Sequence, residues 1–236
     1  MLSMGKCVAV IVAAGKGVRM GNGVRKQYRI LGDRPVLART LSLFHKRPEI
    51  NRIVLVVPEA DRAFCRKMII EPSHLEEKTE LVSGGSCRQE SVYNGLQAAG
   101  GDCAIVLIHD AVRPFASARL IAESIAGAVK YGACIAAIRA RDTLKVVRNN
   151  TIRQTLSRDE VWMAQTPQAF QYDIIMKAHE TAREKRFKGT DDAALVERSG
   201  IEVHVIEGDA RNIKITLPED LEIAEALLGA RKKGES

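Results

Sequence analysis

Aromatic residues make up only 4% of the 236 positions, and they do not alternate with basic residues as they would on a base-stacking platform. The formal charge of +7 is therefore poor evidence for an RNA surface, and compact anions such as phosphates fit it better. Cysteine is also scarce. Cys7, Cys65, Cys87, Cys103 and Cys134 are scattered, odd in number and never in a Cys-x-x-Cys pair, which argues against a disulfide framework and a zinc site. They are expected to be small apolar fillers or thiols on helix faces. No His, Cys and carboxylate spacing suits a transition metal. The longest apolar run, Val8 to Ala14, is far short of the roughly 18 residues that span a bilayer, and no signal-peptide cleavage pattern follows it. A cytoplasmic protein without membrane contact is expected. Internal repeats and low-complexity linkers are missing as well.

With 46% hydrophobic and 28% charged residues, there is enough apolar material for one sizeable core, and a single domain spanning 1–236 is expected. Runs rich in β-branched residues at Cys7–Val12, Arg52–Val57, Ala104–Ile108, Cys134–Ile138 and Glu202–Ile206 alternate with helix-like stretches. That order predicts an α/β fold with a mostly parallel sheet and helices on both faces. Pro35 opens one helix, with Val36, Leu37, Thr40, Leu41 and Phe44 on its apolar side. Leu120, Ile121, Ser124, Ile125, Ala128 and Val129 make a second stripe, closed by Gly132. A last helix is expected from Pro218 to Leu228, with Leu221, Ala224, Leu227 and Leu228 inward and a frayed tail from Gly229 to Ser236.

Thr143–Val147 and Thr151–Ser157 flank Arg148-Asn149-Asn150 and predict a hairpin, because Asn tolerates positive φ. Leu144 and Val146 alternate with Lys145 and Val147, so neither face is plainly a solvent face. Such an arm suits packing against something outside its own core, a partner subunit being one candidate.

The chemistry concentrates after the first strand, in Val12-Ala13-Ala14-Gly15-Lys16-Gly17-Val18-Arg19-Met20-Gly21. Glycines let the backbone turn its N–H groups onto phosphate oxygens, and basic side chains in such a loop suit nucleotidyl transfer, where negative charge grows in the transition state. Arg19 and Lys26, flanking Gly21-Asn22-Gly23, are the leading candidates. No Gly-Lys-Ser/Thr follows, which excludes a Walker-type loop. A dinucleotide fingerprint wants an uncharged turn and an acid closing the second strand, and Val57-Pro58-Glu59 offers only Glu59.

A second glycine turn, Ser83-Gly84-Gly85-Ser86-Cys87-Arg88-Gln89-Glu90-Ser91, is expected beside the first at the carboxyl edge of the sheet, with Gly84 and Gly85 near a base and Arg88 and Ser91 toward its polar edge. His109-Asp110-Ala111-Val112-Arg113-Pro114 ends a buried strand; Asp110 and Arg113 read as site residues or as an ion pair, and His109 as structural. Asn212–Thr216 is expected as a late strand with Lys214 opposite Ile213 and Ile215. Thr190-Asp191-Asp192 reads as a helix cap.

These segments together resemble the 2-C-methyl-D-erythritol 4-phosphate cytidylyltransferase family of the non-mevalonate isoprenoid pathway. The resemblance runs over nearly the whole chain and also includes Lys26-Gln27-Tyr28, Arg141-Asp142-Thr143-x-Lys145, Gln165-Thr166-Pro167-Gln168 and Pro218-Glu219-Asp220-Leu221. Val12 stands where proline is frequent, Val112 where alanine is, and Ser86 where the pattern admits an acid.

The resemblance implies a Rossmann-like, glycosyltransferase-A-like nucleotidyltransferase sheet and a homodimer in which residues 139–160 form embracing hairpin arms. It implies transfer of CMP from CTP to 2-C-methyl-D-erythritol 4-phosphate, with Mg²⁺ held mainly by triphosphate oxygens and no metal held by the protein alone. On it, Arg19, Lys26, Arg158 and Lys214 form the catalytic set. Ala13, Ala14, Gly15, Gly17, Gly84, Gly85, Arg88 and Ser91 hold the nucleotide. Asp110, Arg113, Thr143, Arg158, Thr166 and Lys214 hold the acceptor, with Thr143 and Arg158 supplied by the second copy. The alternatives are a ribitol 5-phosphate cytidylyltransferase, a nicotinamide-dependent oxidoreductase and a basic RNA-binding module. The length leaves no room for the synthase domain that some relatives append.

Overall fold

The computed structural model describes residues 5–15 and 24–234. In chain order the elements are β1 Lys6–Val12, β2 Ile30–Leu31, β3 Arg34–Pro35, α1 Val36–His45, β4 Arg52–Val57, α2 Arg62–Cys65, β5 Thr79–Ser83, α3 Arg88–Ala99 and β6 Cys103–Asp110. There follow α4 Ala118–Tyr131, β7 Ala133–Arg139, β8 Lys145–Arg148, β9 Thr151–Thr155, β10 Trp162–Gln171, α5 Tyr172–Glu184, α6 Ala193–Arg198, β11 His204–Glu207 and α7 Pro218–Gly234. Seven strands form one sheet in the order β11-β7-β10-β6-β1-β4-β5, in which only β10 runs antiparallel to its neighbours.

The central strands are apolar on both sides because both sides are covered. Cys7, Ala9 and Ile11 of β1 face a core shared with Leu37, Leu41 and Phe44 of α1 and with Ile121, Ile125 and Ala128 of α4. Val8 and Val10 face the opposite core, made with Val92 and Leu96 of α3, Ile175 and Ala178 of α5, and Leu195 and Val196 of α6. Helix α3 lies so close to the sheet that a Cβ on Gly95 would meet Val10 Cγ1 at 2.5 Å. The sheet, its helices and the five expected strands thus agree with the pattern in the sequence.

One strand was not foreseen, and three local expectations need correction. Strand β10 was hidden by Pro167, which lacks the N–H that a central strand requires. The ladder with β7 slips between Ala164 and Gln168, so Pro167 falls where no ladder bond is made, and Ala169 and Phe170 beyond it are fully buried. Burying a Phe is worth about 1.5–3 kcal/mol, against about 0.5–1.5 kcal/mol for one ladder bond, so burial decides the pairing even before the slip removes the cost. Asn212–Thr216 is extended but joins no sheet; it is tied instead by Ile215 N–H to Val112 O (2.9 Å) and by Asn212 Nδ2 to Thr166 O (2.8 Å). Val129 is 45% exposed, on the flank of its helix rather than in the buried stripe. The expected fraying at Gly229 is replaced by helix through Gly234, consistent with the strong helix formers Ala230, Arg231, Lys232 and Lys233.

The hairpin forms as expected. Asn149 and Asn150 take φ of 50° and 58°, the conformation of a two-residue turn that matches strand twist. Strands β8 and β9 pair only with each other among the described residues, and Val147 and Ile152 are 53% and 60% exposed. No helix among the described residues is long and apolar enough to cross a membrane.

Candidate active site

The carboxyl ends of β1, β4, β5 and β6 meet at one edge of the sheet, where open α/β folds bind ligands. Ala13 is held by its N–H to Val56 O (2.8 Å), and Ala111 N–H donates to Val12 O (3.1 Å), so the chain leaving β1 is clasped from both neighbouring strands. Gly84 N–H reaches Val57 O at 2.7 Å, bringing the second glycine turn against Ala14 at the end of β1. A Cβ on Gly84 would lie 2.4 Å from that of Ala14, which is why glycine is required there. The turn is shaped from within: Ser91 Oγ accepts from Gly85 N–H (3.1 Å) and donates to Cys87 O (2.8 Å). Glu90 folds back to accept from Ser86 N–H and Oγ at 2.8 and 2.6 Å, which places a carboxylate near the position where the family pattern admits an acid.

Between this turn and the stretch Ala13–Gly15 lies a cavity of about 480 Å³. Ala13, Ala14, Gly15, Lys26, Gly85, Arg88, Ser91, Asp110 and Lys214 line it, together with Gln27, Ser86 and Cys87. Of the other expected site residues, Gly84 and the buried Arg113 and Thr166 stand in or behind its wall, while Thr143 and Arg158, exposed just before and just after the hairpin strands, do not line it. Gly17 and Arg19 lie outside the described residues. A larger cavity of about 670 Å³ opens at the amino ends of the strands, but its charged residues are Glu49, Asp102 and Asp173, which would repel a phosphate.

Asp110 is the electrostatic centre of the site. Lys214 Nζ approaches it at 2.8 Å, Arg88 Nε at 3.5 Å and Arg113 Nε at 3.7 Å. Burial alone would raise its carboxyl pKa, but these cations more than reverse that and hold it far below the carboxylate range. Arg88 is shared with the buried Asp192, Nη2 to Oδ2 at 2.8 Å, and Asp192 also meets His179 Nε2 at 3.3 Å. Burial likewise opposes ionisation of Asp192, and Arg88 and His179 overcome it. The capping role falls to Asp191, whose Oδ1 accepts from Ala194 N–H at 3.0 Å, so Asp192 is a member of the charge network rather than a simple cap. Sequence pattern could not separate these adjacent aspartates; only their partners do. Lys214, equally open to reading as a solvent-facing residue, is instead tethered, because Arg113 Nη1 donates to Asn212 O (2.7 Å) and Ile215 is fully buried.

His109 supports this cluster without joining it. Its Nε2–H donates to Arg113 O (3.0 Å), leaving Nδ1 to accept from the Thr166 hydroxyl (3.0 Å), which in turn accepts from Asp110 N–H (3.1 Å). Complete burial lowers its pKa to about 4. Above the ordinary value of about 6.5 both folded and unfolded states are neutral; as pH falls below it, the unfolded chain takes a proton that the native chain refuses until about pH 4. Stability is expected to fall on the order of 3 kcal/mol across that window. Urea midpoints at pH 7.5 and 5 should show it, and His109→Gln should flatten the slope; equal slopes in the two proteins would assign the acid sensitivity elsewhere.

The chemistry follows from the charges. Lys26, Lys214, Arg88 and Arg113 outnumber Asp110 and Asp192 in or behind one cavity, which suits a polyphosphate. Asp110 is the sole carboxylate among the lining residues, an acceptor for hydroxyl groups. Glu59, the acid that a dinucleotide site would need, is paired with Ser83 and Arg62.

Comparison with known proteins identifies the family. The family model described as 2-C-methyl-D-erythritol 4-phosphate cytidylyltransferase matches residues 7–230. A protein of that name from Geobacter metallireducens is 46% identical over 93% of this chain and 96% of its own, and one from Geobacillus kaustophilus is 47% identical over 94% and 97%. The crystal structure of a 4-diphosphocytidyl-2C-methyl-D-erythritol synthase from Anaerococcus prevotii superposes with a TM-score of 0.86 at 35% identity, covering 97% of this chain and 98% of that one. The chain therefore belongs to the 2-C-methyl-D-erythritol 4-phosphate cytidylyltransferase family, a family of nucleotidyl-transferring enzymes.

Proposed function

We propose that this protein transfers CMP from CTP to 2-C-methyl-D-erythritol 4-phosphate. An acceptor phosphate oxygen attacks the α-phosphorus in line, the bond from that phosphorus to the bridging oxygen breaks, and pyrophosphate leaves with the bond's electrons. The products are 4-diphosphocytidyl-2-C-methyl-D-erythritol and pyrophosphate. The observation that carries the reading is the cavity lined by Lys26, Lys214 and Arg88, with Asp110 its one carboxylate, between Ala13–Gly15 and the second glycine turn. Lys26 and Lys214, with Arg19, stabilise charge on the reacting phosphate, which is electrostatic catalysis of the usual phosphoryl-transfer kind. Ala13, Ala14, Gly15, Gly17, Gly84, Gly85, Arg88 and Ser91 hold the nucleotide. Asp110, Arg113, Thr166 and Lys214 receive the acceptor.

Among the described residues no group of three His, Cys, Asp or Glu side chains could cage a metal. The donor set suits Mg²⁺ arriving with the nucleotide and held mainly by triphosphate oxygens, and Asp110, the one carboxylate among the lining residues, is the side chain that would face it. Bound in that way, the ion offsets charge on the leaving oxygens.

The chain works as one nucleotidyltransferase domain over 1–236, with 139–160 as a dimerisation arm. Supporting this, Val147 and Ile152 of the arm are exposed, and Thr143 and Arg158 are exposed and do not line the cavity of their own chain, which leaves them free to reach that of a second copy. The cytoplasm is the compartment that suits five free thiols. A pyrophosphate-release assay offering CTP, ATP, GTP and UTP with either 2-C-methyl-D-erythritol 4-phosphate or ribitol 5-phosphate tests the reaction. Release with CTP and the branched acceptor is the expected result; exclusive use of the ribitol ester would overturn the acceptor, and none with CTP the donor.

A further inference from the structure

The turn that carries Lys26 is made of three residues, Lys26–Tyr28, and has no side-chain cap. So short a turn has little rigidity of its own, and a lysine on it would be aimed only loosely. Two side chains of the turn supply the missing constraint. Gln27 is 1% exposed and its Nε2 donates to Ala13 O at 2.7 Å, with Gly15 O also within reach at 3.4 Å. These carbonyls belong to the base of the first glycine loop, so one amide group couples the lysine turn to the phosphate turn. On the other flank the Tyr28 hydroxyl donates to Asp61 Oδ2 at 2.8 Å and accepts from the Cys65 thiol at 3.2 Å. Arg25 Nε holds the same Asp61 oxygen at 3.1 Å.

We infer that Gln27 is a positioning residue for the nucleotidyl transfer, setting Lys26 in register with the Ala13–Gly15 stretch that follows β1. The inference rests on the proposed role of Lys26 at the α-phosphate. The residue type is specific to the task. Both partners are carbonyl oxygens, so the bridging group must present N–H on a long, neutral side chain. Glutamate has the same shape but sets oxygen against oxygen, and methionine has the reach but no donor. A misplacement of about 1 Å at a reacting group is enough to cost about 10²-fold in rate.

The test is a double-mutant cycle on the full chain. Gln27→Glu is expected to lower kcat by about 10²-fold while KM for CTP moves far less; because the buried carboxylate faces two carbonyl oxygens its unfolding midpoint falls as well, and kcat is compared where the variant is fully folded. If that variant does not fold, Gln27→Met carries the same comparison. In the Lys26→Met background the Gln27 change should cost almost nothing further, because the group it positions is gone. Multiplying losses would overturn the inference and give Gln27 a purely structural part. Wild-type kcat in the Gln27 variants, with Lys26→Met slow, would overturn the inference while leaving the reading of Lys26 intact. Wild-type kcat in Lys26→Met would overturn that reading first.

Discussion

Lys26→Met should lower kcat by about 10²–10³-fold at saturating CTP while leaving the fold unchanged. The magnitude is that of removing one preorganised donor from a site where charge develops, about 2.7–4 kcal/mol of transition-state stabilisation. Lys26 suits the role because it is half-buried on the wall of the cavity that Ala13–Gly15 and the second glycine turn share, where water screens it poorly. Methionine keeps much of the apolar stem, so a loss of rate without a loss of stability isolates the charge. Arginine should not restore full activity, since its broad planar head does not place a point charge where the ammonium was. The measurement is pyrophosphate release against CTP concentration, paired with a urea midpoint. A rise in KM with unchanged kcat would show that Lys26 grips the substrate and transition state alike and would remove it from the catalytic set.

Asp192→Asn should have the largest effect on stability, about 3 kcal/mol. Deleting one partner of a buried ion pair costs about 3–5 kcal/mol because the other charge is left uncompensated. The low end applies here, since the Arg88 side chain is 31% exposed and keeps Asp110 at 3.5 Å. Loosened from Asp192, Arg88 has only Asp110 to hold it, so KM for CTP should rise as well. The same carboxylate, its pKa lowered in the fold, contributes stability above the unfolded carboxylate pKa and loses it as pH falls through the folded value. The asparagine variant should therefore lose less stability on strong acidification than the wild type. Urea midpoints within a few tenths of a kcal/mol of one another would show that Arg88 is held adequately by Asp110 alone.

Much of the site was legible in the sequence because glycine and charge leave marks where regular structure does not need them. Gly84 and Gly85 stood out before a helix, and the close approach to Ala14 explains the first of them. Asp110 and Arg113 were legible as a pair at a strand end. Gln27 and Gln168 were not legible as parts of the site. A neutral amide has no periodic or electrostatic signature, and each acts through partners distant in sequence: Gln27 through Ala13 O, and Gln168 through Asp192 N–H (3.1 Å) and Asp191 Oδ2 (2.8 Å). The only sequence signal was their place inside Lys26-Gln27-Tyr28 and Gln165-Thr166-Pro167-Gln168, two of the blocks that carry the family resemblance.

By itself the sequence determined the α/β layering, the hairpin and the glycine turn at Gly84-Gly85. These depend on local quantities: the alternation of apolar residues, the φ that Asn and Gly tolerate, and the charge of a loop. Tertiary structure alone decided that β10 pairs through the slip around Pro167, that Asn212–Thr216 serves as a tether and not a strand, and that Asp192 rather than Asp191 holds Arg88. Each of those outcomes turns on which distant donor, acceptor or charge arrives beside a residue once the sheet is assembled, and local chain chemistry does not encode that proximity.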